Sequence, residues 1–443
     1  MDICTWIRLR KSILISTSSK NLAPGVRPRE VFAWAMYDFA NSGYTTVVIT
    51  AVFNAYFVAE VAGNAPWATL AWTSALAVSY ALIVLTAPVI GAYADARAAK
   101  KRLLAATTMG CVTFTAALAL VGNGDVAAAC VLVALSNFFF GTGENLVAAF
   151  LPEIAREQAL GRVSGWGWSL GYVGGLVSLG ACLAYIVWAQ SRGAAAGEFV
   201  PVTMLITAGI FAGASLPTFL LLRERATPSA ATSASAREAF KRLAATLRQA
   251  RRYQDLWRFL ACVVAYQAGV QTVIALAAVY AEQAMRFTTR ETLILILVVN
   301  VTAALGAFLL GTVQDRIGHV RTIILILVGW LLTVLLAWHA QGPALFWIAA
   351  NLVGLCLGSS QSAGRALVAY LSPPHRAGEF FGLWGLAVKL SSILGPMTYG
   401  LVTWASGGDH RLAMLVTGTF FVAGIVIVAA VDVERGRRAA LQS

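Results

Sequence analysis

Acids, amides and cations are rare inside the long apolar runs of this sequence, and where they occur they fall at helical spacing. Asp38, Asn41 and Thr45 stand at i, i+3 and i+7, which sets a carboxylate, an amide and a hydroxyl on one helix face, with Tyr37 and Tyr44 on a neighbouring one. Asn137, Glu144 and Asn145 share a second face beside Gly141 and Gly143, whose small size lets another helix come close. Tyr266, Gln267 and Gln271 form a third group, followed by Asn300, by Gln361 and Arg365, and by Lys389 with Ser391 and Ser392. Such a set can bind a solute. A carboxylate at Asp38 or Glu144 can take up a proton or hold an amine, or only tie helix ends together. Lys389 can hold a solute carboxylate, or sit in a structural pair with Glu144 or Asp38. The four histidines, His319, His339, His375 and His410, lie in loops or at the ends of apolar runs, without HxxxD or HExxH spacing. No GxxxxGK[ST] loop occurs, so ATP cannot drive the chain from within. No cofactor and no metal is expected.

These groups need elements that can hold them in an apolar medium. The 443 residues are 59% hydrophobic and 12% charged, with a mean hydropathy of +0.73, too little polar surface for a water-soluble globule of this size. The chain belongs in a lipid bilayer. A charge at mid-bilayer costs from about 2.5 to above 10 kcal/mol, so the buried acids and Lys389 must face the bundle interior or a watery cavity. Arg365, nearer a helix end, is expected to snorkel to the interface. Stretches long enough to cross ~30 Å of hydrocarbon run at 31–58, 70–94, 103–122, 126–150, 163–188 and 201–222, then again at 256–281, 292–313, 322–338, 344–370, 379–405 and 411–432. The reading is an all-α integral membrane protein of twelve transmembrane helices in two sets of six. Its domains are a flexible tail (1–29), a six-helix bundle (30–222), a basic linker (223–255), a second six-helix bundle (256–432) and a C-terminal tail (433–443).

Nearly all of the 33 lysines and arginines fall in the two tails, the central linker and the loops on one side; the exceptions are Arg192, Arg286, Arg290 and Arg411 opposite, and Arg365 and Lys389 within spans. The positive-inside rule puts both termini and the central loop in the cytoplasm. That scatter also argues against a nucleic-acid partner, which needs cations gathered on one soluble face. In the linker, Thr227 to Ala236 is Ala/Ser/Thr-rich. Beyond it Phe240, Leu243 and Leu247 recur opposite Lys241, Arg242, Arg248, Arg251 and Arg252, as an amphipathic helix on an anionic leaflet or a basic tether. The six cysteines lack CxxC spacing and, apart from Cys4, read as small buried hydrophobes.

The stretch from Gly91 to Arg102 is a short polar hinge between two spans, and Gly311 to Arg321 repeats its Gly, Asp and trailing Arg 220 residues downstream. The same offset aligns Phe150-Leu151 with Tyr370-Leu371, and Trp166-Gly167 echoes Trp384-Gly385. Parallel six-helix repeats around a central loop are the build of a secondary transporter. Asp95 and Asp315 end spans two and eight, where an acid can meet the positive N-terminal end of a neighbouring helix. Such a bond forms only when the cytoplasmic side is closed, so Asp95, Arg97, Lys100, Asp315, Arg316 and Arg321 are expected to form a gate. Gly171, Gly174, Gly175 and Gly180 in span five, and Gly395-Pro396 in span eleven, are expected to thin or break those helices for alternating access, although close packing also explains such glycines.

The two loop stretches resemble the signature G-x-x-x-D-R-x-G-R/K-R/K of the major facilitator superfamily, the first copy departing at Ala96 and Ala98. Three further stretches resemble the branch that contains the fungal vacuolar amino-acid effluxer and its bacterial relatives: Trp34-Ala35-Met36-Tyr37-Asp38-Phe39-Ala40-Asn41-Ser42; Phe150-Leu151-Pro152-Glu153-Ile154-Ala155 with Ser164-Gly165 and Gly171-Tyr172-Val173-Gly174-Gly175; and Phe381-Gly382-Leu383-Trp384 through Lys389 to Gly395-Pro396. The resemblance implies a twelve-helix secondary transporter and suggests export of amino acids or similar small solutes. The expected mechanism is rocking of the two halves, coupled to protons through Asp38 or Glu144, in a monomer. The expected setting is a bacterial inner membrane. The expected pathway comprises Tyr37, Asp38, Asn41, Asn137, Glu144, Asn145, Tyr266, Gln267, Gln271, Asn300, Gln361 and Lys389. A non-transporting sensor on the same fold and an integral-membrane transferase are the alternatives.

Overall fold

A computed structural model of the chain describes residues 21–226, 252–283 and 289–442. Twelve long helices, numbered here as spans one to twelve, account for nearly all of them. Pro28–Val61, Ala68–Arg97, Lys100–Leu120, Val126–Ile154, Glu157–Gln190 and Ala196–Leu221 form the first six. Gln254–Gln283, Thr289–Ile317, His319–His339, Pro343–Leu371, Pro374–Ala405 and His410–Ala429 form the second. Helix is the form that satisfies every backbone group inside lipid. Large apolar side chains such as Leu70, Leu85, Val187, Leu220 and Trp404 point outward, which explains how so hydrophobic a chain spends its residues. The expected amphipathic helix of the linker lies outside the described residues, apart from its last few positions.

Helix ends follow local chemistry. Pro343 opens span ten, and the Asp409 carboxylate accepts the Leu412 N–H at the start of span twelve. The expected hinge at Gly91 to Arg102 is mostly helix: span two runs on to Arg97, and the turn is confined to Ala98 and Ala99. Ala98 takes a left-handed φ of 46°, doing here what Gly318 does at φ 91° in the second copy.

Spans two and eleven pack across the halves, and so do spans five and eight, the pair that the internal repeat relates to them. Glycine makes both approaches possible. A Cβ on Gly91 would lie 2.0 Å from the Gly378 carbonyl oxygen, and one on Gly311 would lie 2.5 Å from that of Gly161. The glycines of span five do not break it, for the helix is continuous from Leu160 to Gln190. Gly174 and Gly171 instead bring it against Phe39 and Asp38 of span one. Span eleven likewise runs through Gly395-Pro396 as helix, with Gly395 seated on the Ala268 carbonyl. The irregular helix is span one, whose outer half holds two π-helical stretches, Thr45–Ala51 and Phe57–Val61.

Both tails are partly tied down. Leu22 is buried, the Ala23 N–H donates to the Ile154 carbonyl at 3.1 Å, and Arg156 donates to the Leu22 carbonyl. At the other end Val433–Leu441 is a helix, held by Arg435 on Asp255 through two bonds of 2.7 Å.

Candidate functional site

A cavity of about 820 Å³ lies between the halves. Its walls run from Ala148 and Arg365 at the deep end out to Val58, Thr69 and Ala337, residues at the span ends opposite the two termini. It therefore opens on that opposite face and is closed toward the termini.

Two ion pairs sit at the deep end, and each joins one half to the other. Arg365 of span ten donates to Asp38 of span one at 2.7 Å. It also donates to the Ser164 hydroxyl at 3.0 Å and the Ser164 carbonyl at 2.8 Å in span five, and its guanidinium faces the rings of Trp34 and Trp168. Gly167 leaves room for this arrangement, since a Cβ there would strike both Asp38 and Arg365. Arg365 is 2% exposed, so it does not snorkel. A buried cation is tolerable because the carboxylate, the oxygens and the ring faces together replace its water. The second pair, Glu144 of span four with Lys389 of span eleven, is loose at 3.9 Å and more open, with Lys389 over the Tyr80 ring at 5.2 Å.

On the terminal side of the cavity, carboxylates sit on helix ends across the halves. Asp95 accepts the N–H groups of Gly378 and Glu379 at 3.1 and 2.9 Å, where span eleven begins, and Asp315 accepts those of Gly161 and Arg162 at 2.9 and 3.0 Å, where span five begins. Each bond pattern joins a carboxylate to free donors at the positive end of a helix. Around the first, Lys100 is fully buried, 2.6 Å from Glu153 and 3.4 Å from Asp95, while Glu153 also accepts the Arg225 N–H. Around the second stand amides and rings: Gln314 bonds His319 and the Ala363 carbonyl, and His319 packs on Tyr370. A third cross-link comes from the C-terminal helix, where Arg437 pairs with Glu157 of the first half and donates to the Tyr370 carbonyl of the second.

The cavity wall brings together Asp38, Asn41, Asn137, Glu144, Asn145, Gln271, Asn300, Gln361 and Lys389. Three residues expected on the pathway sit behind it. Tyr37 is buried against Phe211 and Phe219 with its hydroxyl on Thr108, Tyr266 is enclosed near Gly364 and Gly424, and Gln267 reaches the cavity only through its 2.8 Å bond to Gln361. Helical spacing put them near the polar faces but could not say which way the bundle turns them. Of the expected gate cations, Lys100 is buried with its aspartate, while Arg97, Arg316 and Arg321 are exposed, Arg97 over the Tyr93 ring. Sequence spacing alone does not mark Ser164, Tyr80, Trp168 or Trp384 for the site, although Ser164 and Trp384 stand in the stretches that carry the family resemblance. Their signal in the sequence is weak, because a serine or an aromatic inside an apolar run is ordinary.

A family model described as "Vacuole effluxer Atg22 like" matches residues 68–441. The MFS-type transporter YxiO of Bacillus subtilis is 28% identical over 91% of this chain and 94% of its own length. Autophagy-related protein 22-1 of Aspergillus fumigatus is 25% identical over 68% of this chain, a match that spans 54% of the fungal protein. Among solved structures, the human organic anion transporter MFSD10 (TETRAN) superposes with a TM-score of 0.69 at 15% identity, covering 90% of this chain and 99% of that one. The proton:xylose symporter XylE does so with a TM-score of 0.69 at 12% identity, covering 90% and 94%. Likeness at that identity establishes the fold, and the sequence match establishes the family. The chain belongs to the Vacuole effluxer Atg22-like family and is a transporter of the major facilitator superfamily.

Proposed function

We propose that this transporter carries amino acids or related small solutes out of the cytoplasm, by alternating access coupled to protons, from a bacterial inner membrane with both termini inside. One observation carries the mechanism: Asp38 and Arg365 bind each other across the halves at the floor of the cavity. For the cavity to open toward the termini, the halves must part there. A proton on Asp38 removes the charge that holds Arg365 and so lowers the cost of parting, which ties one proton to one reorientation. The solute class is supported by the resemblance of the Trp34 to Ser42 stretch and by a cavity of about 820 Å³ that offers acids and cations together, and the direction by the word effluxer in the family's description. The positive-inside tally supports the orientation.

The test is transport of labelled amino acids in proteoliposomes with and without a pH gradient. Asp38→Asn is expected to remain folded, to lose gradient-driven accumulation and to keep some exchange. A mutant that accumulates solute with unchanged pH dependence removes Asp38 from coupling. A folded wild type that binds amino acids yet shows neither accumulation nor exchange would overturn transport of them.

A further inference from the structure

The two deep ion pairs differ in how completely they are satisfied. Arg365 places three of its five N–H groups on Asp38 and Ser164, one on each of its nitrogens, and Ser164 in turn donates to the Ser362 carbonyl, so that pair is held in a network. Glu144 and Lys389 stand 3.9 Å apart, beyond hydrogen-bond reach, with 27% and 12% of their side chains exposed. Unused hydrogen-bonding groups occur along the wall: the Asn41 Oδ1 and Trp168 Nε1 near the first pair, and two donors on spans four and eleven, which carry the second. Asn145 follows Glu144 in span four, lies against Gly385 and lines the cavity, yet its Nδ2 has no partner among the described residues. The indole Nε1 of Trp384, one residue before Gly385 and also on the wall, has none among them either. Both residues are more than nine-tenths buried. Donors left unpaired beside a cation are matched by an anionic acceptor.

We infer that Glu144, Asn145, Trp384 and Lys389 form the recognition subsite for the charged ends of the solute. Lys389 takes its carboxylate, with the enclosed Asn145 amide and Trp384 N–H turning onto it as it seats, Glu144 takes its ammonium, and the Asp38/Arg365 pair stays closed to it. This rests on the cavity being the transport site. The solute replaces a loose internal pair with two close external ones, so binding leaves no charge uncompensated. It also divides the labour, since the group proposed to take the proton is not the group that reads the solute.

Purified protein in nanodiscs is screened by thermal stabilisation against the twenty proteinogenic L-amino acids. The strongest binder is then compared with its methyl ester, which lacks the carboxylate, and its N-acetyl derivative, which lacks the ammonium. Both derivatives are expected to bind at least tenfold more weakly. Lys389→Met should weaken the parent amino acid at least tenfold while nearly abolishing the difference between parent and ester. Glu144→Gln should do the same for parent and N-acetyl derivative, and Trp384→Phe should cost three- to tenfold. Should Lys389→Met fail to fold, Lys389→Ala replaces it. Derivatives that bind like the parent, or a Lys389 variant that keeps its full preference over the ester, overturn the assignment. So does an absence of binding by all twenty. Transport is judged separately, by whether a Thr50→Cys label site in the vestibule becomes hidden from a membrane-impermeant thiol reagent under a pH gradient. If it does while no amino acid binds, the subsite falls and the transporter cycle stands.

Discussion

Arg365 owes its place to residues it does not resemble in sequence position: Asp38 lies 327 residues away and Ser164 lies 201. Distance from a helix end suggests snorkelling for such an arginine. The fold instead turns it inward, because the span ten face that carries it meets spans one and five. No periodicity within span ten could reveal that, whereas Asp38 and Lys389 were legible at once, since acids and lysines deep in apolar runs have no other way to be tolerated. The energetic consequence is testable. Arg365→Met leaves the Asp38 carboxylate buried without its counter-charge, which should cost about 3–5 kcal/mol. Adding Asp38→Asn removes the orphan charge, so the double mutant should recover much of that loss. Thermal melts of the purified wild type, the two single mutants and the double mutant measure it; a double mutant as unstable as Arg365→Met alone would mean that packing around the guanidinium, over Trp34 and Trp168, outweighs the charge.

At the level of helices, the sequence told where the spans lie far better than how they touch. Apolar length located them because lipid leaves a chain little else to be. The glycines were ambiguous, since bending and close approach use the same residue, and the structure resolves them in favour of approach. Gly91 and Gly311 let spans two and eight meet spans eleven and five almost backbone to backbone, and Gly174 does so for span one. The π-helical stretches of span one had no signal to read, because Thr45 to Ala51 is a run that suits an α-helix or a strand equally. Gly91→Val separates close approach from flexibility. Its side chain would meet the Gly378 carbonyl, whereas Gly180 has nothing among the described residues within 4 Å of an added Cβ. Gly91→Val should therefore hold the terminal face open and abolish transport while the protein still folds, and Gly180→Ala, in a helix interior, should keep full transport with equal or slightly greater stability. Cysteine labelling from the two sides reads the first, and a melting curve reads the second. Full transport by Gly91→Val would show that the two helices have slack that the packing does not suggest.

Over the whole molecule, the duplicated loop builds two closures of one design from different materials. Asp95 and Asp315 each bridge to the start of a helix in the other half, which a carboxylate at the end of spans two and eight foreshadowed. Their surroundings did not repeat. Lys100 and Glu153 tie the first closure to the start of the central linker through Arg225, Gln314 and His319 flank the second, and Arg437 adds a third link that nothing in a short basic tail announced. A carboxylate on a helix N-terminus contributes up to about 2 kcal/mol in a partly buried setting. The pair together then favours the closed terminal face by up to about 4 kcal/mol, up to nearly a thousandfold in population. Asp95→Ala should also lower folding stability more than Asp315→Ala, because it strips one of two acids from a cation that has no water. Spin labels at Arg102 and Arg321, exposed near the terminal ends of spans three and nine, should report a longer distance in each mutant and the largest change in the double. Turnover should fall more than solute affinity, because the bonds lie outside the cavity and act on the equilibrium between its two openings. Distances that stay at the wild-type value in the double mutant, or a large loss of affinity with turnover intact, would move these aspartates from closure to binding and leave the glycine contacts of spans two, five, eight and eleven as what holds the terminal face shut.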